Sequence, residues 1–248
     1  MVKKWKTKIG DSRPDRTTVR GYNVEDLVGK LSFSEMIFLE FRGRVPTDAE
    51  RRMMDAVFVS CVEHGIAPPS ITAARIAFSG GNPLSAGVAA GVLAIGEHHG
   101  GAIEQAAKIF QENLMKPADK VVDEFRKKRV RIPGYGHKIY KDADPRAVKL
   151  FKIANELGIY SHHCRFAQEV ERSLGQSLGK KCVMNVDGAI AAITSDMGFD
   201  WRFGKGFFII GRTVGIIAHL QEEWVNEPPV RRLDDNEYEY QGEEGKKL

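Results

Sequence analysis

A mainly α-helical fold follows from three features of this sequence: helix starts written as capping boxes, helix stops written as glycine, and a scarcity of the period-two alternation that strands require. Ser32 to Glu35 (SFSE) and Thr47 to Glu50 (TDAE) each pair a hydroxyl with a carboxylate three residues later, so that side chain and backbone satisfy one another's orphan donors. Each run is expected to end at glycine, Gly43 after EMIFLEFR and Gly65 after ERRMMDAVFVSCVEH. Within the Thr47 helix the apolar residues Met53, Val57, Cys61 and Val62 fall on one face.

The remaining elements follow in order. The stretches 83–95 and 206–220 are rich in Gly and Ala at spacings of three to five, which lets helices approach closely inside a core. The segment 116–133 reads as irregular, polar and surface-lying, with the basic residues Arg126, Lys127, Lys128, Arg129 and Arg131 on it. Asp144-Pro145 supplies an N-cap followed by proline at the first helical position, and that helix is expected to run to Gly158. Ser161 is expected to open the next helix and Gly175 to close it. The tail from Glu227 onward, with Pro228-Pro229 at its start, reads as surface chain that is disordered beyond Tyr240. No repeat of 20 to 50 residues is evident.

Composition narrows the class. With 248 residues, 42% hydrophobic, 28% charged and a formal charge of +4, the chain reads as a globular protein of one or two domains. The uncharged run 79–96 is broken by glycine, asparagine and proline, and 207–220 holds Arg212, so neither is expected to span a hydrocarbon core of ~20 apolar residues. No apolar segment follows the basic N-terminus, so no secretory signal is read and a cytoplasmic location is expected. Cys61, Cys164 and Cys182 form no CxxC pair and no zinc set with the seven histidines; they read as small buried residues, and no metal is expected. The slight positive charge suits a phosphorylated ligand and falls short of a nucleic-acid binder.

Three places put glycine beside a histidine or carboxylate: GEHHGG at 96–101, GYGH at 134–137, and NVDG at 185–188. Such spots let backbone and ligand come close. His219 reads as a hydrogen-bonded core residue, and His162-His163 as residues at a helix end. Arg146 stands in the first turn of a helix, where a cation needs an anion nearby. Arg212 stands in the most apolar helix and needs a carboxylate, from a ligand or from a protein group such as Asp187 or Asp196.

These residues carry a family resemblance. GYGHKIYKDADPRA, from Gly134 to Ala147, resembles the citrate synthase signature GFGHRVYKxxDPRA. RGYNVEDLVGKLSFSEMIFLEFRGRVPTDAE, SGGNPLSAGVAAGVLAIGEHHGGAIEQA and GRTVGIIAHLQE are similar to other segments of that family, in the family's order, from Arg20 to Arg232. The chain is more than a hundred residues shorter than typical citrate synthases. Compact chains of this size resemble the citryl-CoA lyase module of ATP-citrate lyase, as do Glu63-His64-Gly65, AAKIF and NVDGAIAAITSDMG here. His99, by contrast, follows the synthases.

The resemblance implies an all-α, citrate-synthase-like fold with a shortened large domain, residues 1–100 and 190–248, and a small CoA-binding helical domain, 101–189. It implies a catalytic set of His99, His137 and Asp187: the carboxylate moves a proton on the acetyl methyl, a neutral His99 hydrogen-bonds the enolate oxygen, and His137 exchanges a proton with the carbonyl or hydroxyl of the other half. Substrate carboxylates fall to His64, Arg146 and Arg212, with Arg231 or Arg232 reaching a neighbouring subunit. Coenzyme A falls to Gly134, Gly136, Lys138 and Lys141, with the basic run 127–131 near its phosphates.

The implied activity is citryl-CoA lyase, yielding acetyl-CoA and oxaloacetate, with no bound cofactor and the coenzyme A thioester as substrate. A homodimer or dimer of dimers is implied, together with a separate citryl-CoA synthetase, and neither nucleic acid nor membrane as partner. The alternative is a compact citrate or 2-methylcitrate synthase, which also hydrolyses the thioester. A non-catalytic acyl-CoA sensor is the reading from another class; it would be favoured by loss of His137 or Asp187, and both are present.

Overall fold

The computed structural model describes residues 4–137, 139–243 and 245–247, and among them it carries eleven α-helices and one three-stranded antiparallel sheet. The sheet comes first: β1 (Gly10–Arg13), β2 (Arg16–Val19) and β3 (Tyr22–Asn23), with Gly10 opposite Val19 and Thr18 opposite Asn23. The sequence does not predict it. No residue of these short strands is buried, which leaves no alternation of apolar and polar faces to read.

Three helices follow, α1 (Val24–Leu27), α2 (Phe33–Arg42) and α3 (Asp48–Cys61). Both capping boxes form, Glu35 accepting from Ser32 N at 2.7 Å and Glu50 from Thr47 N at 2.8 Å. Gly43 closes α2 in the left-handed conformation at φ 72°. Helix α3 stops at Cys61, short of the expected Gly65, where the Glu63 carboxylate turns back to accept the backbone N–H groups of His64 and Gly65. Those N–H groups go to the carboxylate instead of continuing the helical ladder, so the helix ends before the glycine.

The remaining helices are α4 (Pro69–Ser79), α5 (Leu84–Leu93), α6 (Ala102–Asn113), α7 (Ala118–Lys127), α8 (Pro145–Glu156), α9 (His162–Leu178), α10 (Val186–Asp196) and α11 (Gly204–Asn226). Helix α7 corrects the reading of 116–133 as irregular: Ala118, Val121 and Val122 bury one face while Lys120, Asp123 and Glu124 stay exposed. Helix α8 starts as expected, with Asp144 accepting from Arg146 N and proline at its first position. Helix α9 runs past Gly175 to Leu178 and is closed by Gly179, because Phe166, Val170 and Leu174 hold its apolar face on the core. Its N-terminus is capped by Asp196, which accepts from the backbone of Ser161, His163 and Cys164, and not by the Ser161 hydroxyl.

Contacts gather the chain into two units that differ in their borders from the expected division: residues 1–62 with 100–211, and residues 63–99 with 212–248. In the first, α10 is buried from Gly188 to Ser195 and packs against α6, α8 and α9. Phe38, Phe199 and Phe207 of the same unit meet edge to face in turn, with Phe38–Phe199 centroids 5.5 Å apart. In the second, α4 packs on α5, and Ile71, Ala74, Ile216 and Leu220 form a core. The small residues act as expected there: a Cβ added to Gly91 would lie 2.8 Å from the Ser70 carbonyl oxygen and 3.0 Å from Ile216.

The helical stretch 201–226, which ends in α11, is long and apolar enough by length and composition to cross a membrane. It also buries Arg212 and Glu223, each 3% exposed, and the fully buried Phe207, Ile216 and Leu220, as a core helix does.

Candidate active site

The expected site residues fall into two sets, one in each unit. In the unit of residues 1–62 and 100–211, two loops are laced together: Asn185 N donates to Gly134 O, Gly136 N to Val183 O, and Asn185 Nδ2 to Gly136 O. Two glycines make this possible. A Cβ on Gly188 would lie 2.5 Å from Gly134 O, and one on Gly134, which has φ 87°, would lie 2.8 Å from Gly188 Cα. Gly134 thus works by packing, whereas Gly136 borders the cavity described below.

The lacing sets two side chains. Asn185 caps α10 by accepting from Asp187 N and Gly188 N, which leaves Asp187 in the first turn, where the helix dipole favours negative charge. His137 is held through Nδ1, which accepts from Ile139 N and Tyr140 N, both at 3.1 Å. With Nδ1 occupied in this way, Nε2 is the ring nitrogen left to meet other partners. Nε2 in turn lies 3.4 Å from Arg146 Nη2. The anion that Arg146 needs in its first helical turn is Asp144, with Nη2–Oδ2 at 3.0 Å. Burial by itself would raise the pKa of Asp144, but the Arg146 guanidinium and the backbone N–H groups of Arg146 and Val186 hold it below the usual carboxylate range.

Beside His137 opens a cavity of about 660 Å³. Val122, Phe125, Ile132, Leu174 and Val183 give it an apolar wall, and Arg126, Arg131, Lys141, Lys180 and Lys181 line it with positive charge. Such a site suits a long ligand with an apolar body and anionic groups. Of the expected coenzyme A residues, Gly136 and Lys141 line it, and Lys138 lies outside the described residues. Lys180 and Lys181 were missed; a basic pair directly after the helix-closing Gly179 is the signal that could have found them. Cys182 lines the same cavity, while Cys61 and Cys164 are buried as expected.

The other unit holds His64, His99 and Arg212. His99 Nε2 lies 2.8 Å from the hydroxyl of fully buried Ser70, and Gly96 and His99 pair through their backbones. Burial lowers the His99 pKa, and the charges of Arg212 and His64 lower it further, so the ring is neutral near pH 7. Ser70 was not foreseen, because it lies 29 positions away in sequence. Arg212 is buried in α11. Asp196, one of the carboxylates considered for it, is committed to the start of α9 and to His163 Nδ1 at 3.0 Å. His219 is the hydrogen-bonded residue expected, 3.2 Å from Glu63.

The two C-terminal arginines separate. Arg231 is tied to its own chain, with Nε 2.7 Å from Glu223, Nη2 3.2 Å from Glu227 and its backbone N–H on Ser79 Oγ. Arg232 is exposed.

Comparison with known proteins adds to this geometry. Residues 38–232 match the family model described as "Citrate synthase, C-terminal domain". The structure of citryl-CoA lyase from Hydrogenobacter thermophilus superposes with a TM-score of 0.95 at 51% identity, covering 98% of this chain and 97% of that one. A citrate synthase from Thermoplasma acidophilum, solved as a ternary complex with carboxymethyl coenzyme A and oxaloacetate, superposes with a TM-score of 0.73 at 26% identity, covering 88% of this chain and 58% of that one. A probable ATP-citrate synthase of Dictyostelium discoideum is 28% identical over 241 residues, 88% of this chain and 36% of that protein. The chain spans between about a third and a half of the length of the curated relatives it matches.

Proposed function

The chain belongs to the citrate synthase family, and from that premise we propose that it is a citryl-CoA lyase, cleaving citryl-CoA to acetyl-CoA and oxaloacetate. The observation that carries this reading is the degree of likeness over the whole chain: 51% identity and a TM-score of 0.95 with the Hydrogenobacter lyase, against 26% and 0.73 with the Thermoplasma synthase.

The reaction balances without water. The carbon–carbon bond next to the carbinol breaks, the hydroxyl carbon becomes the ketone of oxaloacetate, and the electron pair passes into the enolate of the acetyl thioester. His137 takes the hydroxyl proton through Nε2 as the ketone forms; the ring is oriented by the two backbone N–H groups on Nδ1. A neutral His99 hydrogen-bonds the enolate oxygen, a task for which its lowered pKa suits it. Asp187 returns a proton to the enolate carbon. Arg146, Arg212 and His64 hold substrate carboxylates.

Coenzyme A occupies the basic cavity, its apolar arm along Val122, Phe125 and Ile132, its phosphates against Lys141, Lys180, Lys181, Arg126 and Arg131. The segment 101–189 serves as the CoA-binding domain. Of the C-terminal arginines, Arg232 is the one assigned to a neighbouring subunit of a homodimer, since Arg231 is held by Glu223 and Glu227. A separate citryl-CoA synthetase supplies the substrate, and the enzyme works in the cytoplasm.

The test is to add protein to citryl-CoA and follow oxaloacetate by coupled reduction and free thiol by a colour reagent. Oxaloacetate without free thiol supports the lyase. Free thiol with citrate identifies a synthase that hydrolyses the thioester, and neither product favours an acyl-CoA sensor.

A further inference from the structure

We propose that Asp144 is a positioning residue for this reaction, a buried carboxylate that locks the Arg146 guanidinium and the first turn of α10 to one point. The inference rests on the lyase reading for its kinetic consequence and on geometry for its substance.

Asp144 has no exposed surface. Its two oxygens accept four N–H groups, two each. Oδ1 takes Arg146 N at 3.0 Å and Arg146 Nε at 3.2 Å; Oδ2 takes Arg146 Nη2 at 3.0 Å and Val186 N at 3.0 Å. One side chain therefore does three jobs: it caps α8, grips one edge of the Arg146 fork, and fixes the residue before Asp187. The gripped nitrogen Nη2 is also the one that faces His137 Nε2 at 3.4 Å. A fork already held at Nε and Nη2 surrenders less freedom when it binds a carboxylate. Capping alone would need one oxygen and would be served by asparagine or serine. The second oxygen is spent on the guanidinium and on α10.

That division makes the role separable from stability. In Asp144→Asn either amide orientation sets an NH2 against two donors. The orientation that keeps Oδ1 preserves the α8 cap and releases Nη2 and Val186 N. Asp144→Glu keeps the charge and displaces it by one methylene.

The experiment compares wild type, Asp144→Asn, Asp144→Glu, Arg146→Gln and the double variant Asp144→Asn/Arg146→Gln. It reads citryl-CoA cleavage, thermal melting, and the NMR signal of the Arg146 Nε–H, assigned by its loss in Arg146→Gln. Asp144→Asn is expected to lower kcat/KM by about 30-fold or more, and to add less than about threefold to Arg146→Gln, because groups that act as a unit are not additive. Asp144→Glu should recover part of the loss. The Nε–H resonance should shift in Asp144→Asn. Should Asp144→Asn fail to fold, Asp144→Glu carries the same non-additivity test.

Activity within about threefold of wild type, losses that multiply with those of Arg146→Gln, or an unmoved Nε–H signal would each overturn the proposal. A wild-type protein inert toward citryl-CoA would instead sink the lyase reading; the Nε–H signal would still decide whether Asp144 holds Arg146.

Discussion

The two candidate histidines are fixed by opposite means. His137 is oriented by its own loop, with Nδ1 bound to backbone N–H groups two and three residues on, and Arg146, whose Nη2 faces its Nε2, is nine positions away. His99 is tuned from afar: its hydroxyl partner is Ser70, and its pKa is lowered by burial and, beyond that, by the charges of Arg212 and His64. A local clamp sets which nitrogen is left to meet other partners. A distant environment sets whether the ring is charged at all. One kind of chemistry can therefore be written in a short motif, and the other requires a folded unit.

Breaking either histidine's partner set should separate these roles. The largest effect is expected from the acid–base groups: His137→Ala or Asp187→Asn should lower kcat for citryl-CoA cleavage by about 10²-fold or more, measured as oxaloacetate release. Near-normal cleavage by either variant would show the roles to be misassigned.

Ser70→Ala sharpens the comparison at the other histidine. Loss of one hydrogen bond should reduce kcat by about fivefold, in line with its usual worth of about 1 kcal/mol. Arg212→Gln should carry a different signature. The His99 pKa is lowered in part by Arg212, so removing that charge should move the acid limb of the kcat/KM profile to higher pH, whatever else it does to substrate binding. An acid limb that stays in place, or moves to lower pH, would remove Arg212 from the electrostatics of His99.

Smaller changes are expected in the cavity. Lys180→Ala and Lys181→Ala should each raise KM for the CoA thioester by about two- to fivefold, with kcat unchanged and the effect shrinking at high salt. Equal KM at low and high salt would take these lysines away from the phosphates.

The smallest effects concern the helix starts. Thr47→Ala should cost about 1 kcal/mol in urea unfolding, the usual worth of a cap. Glu50, held chiefly by Arg44 and also by Thr47, has its pKa lowered from 4.5 to about 2. A depressed carboxylate stabilises the fold above its unfolded pKa, and that share is lost as pH falls from about 4.5 towards about 2. Wild type and Glu50→Gln should therefore differ in melting temperature at pH 6 and converge near pH 2. A constant difference across that range would exclude the linkage.

Much of the fold was legible because its signals are local. Capping boxes at Ser32 and Thr47, proline after Asp144 and glycine at Gly43 act within one helical turn, and each behaves as its sequence implies. The misreadings arose where local signals were absent or outvoted. The exposed strands β1 to β3 have no buried face to betray them, α7 hides its apolar face in a charged segment, and α9 passes through Gly175 because its apolar stripe continues. In the site, His137 and Arg146 were legible as one motif with their loop. Ser70 was not, since nothing near it in sequence says what it will face, whereas Lys180 and Lys181 carry only the weak signal of a basic pair after Gly179.

The sequence by itself determined the helical class, the starts of α2, α3 and α8, the family, and the residue types that such chemistry requires. Those depend on contacts within a few residues and on motifs long enough to be specific. Tertiary structure decided which partners those residues have: Asp196 as the cap of α9, Ser70 on His99, and Arg231 bound to Glu223. A carboxylate or hydroxyl has several donors it could satisfy. Which of them it meets is fixed only when packing brings distant segments to one place and burial makes an unmet hydrogen bond costly.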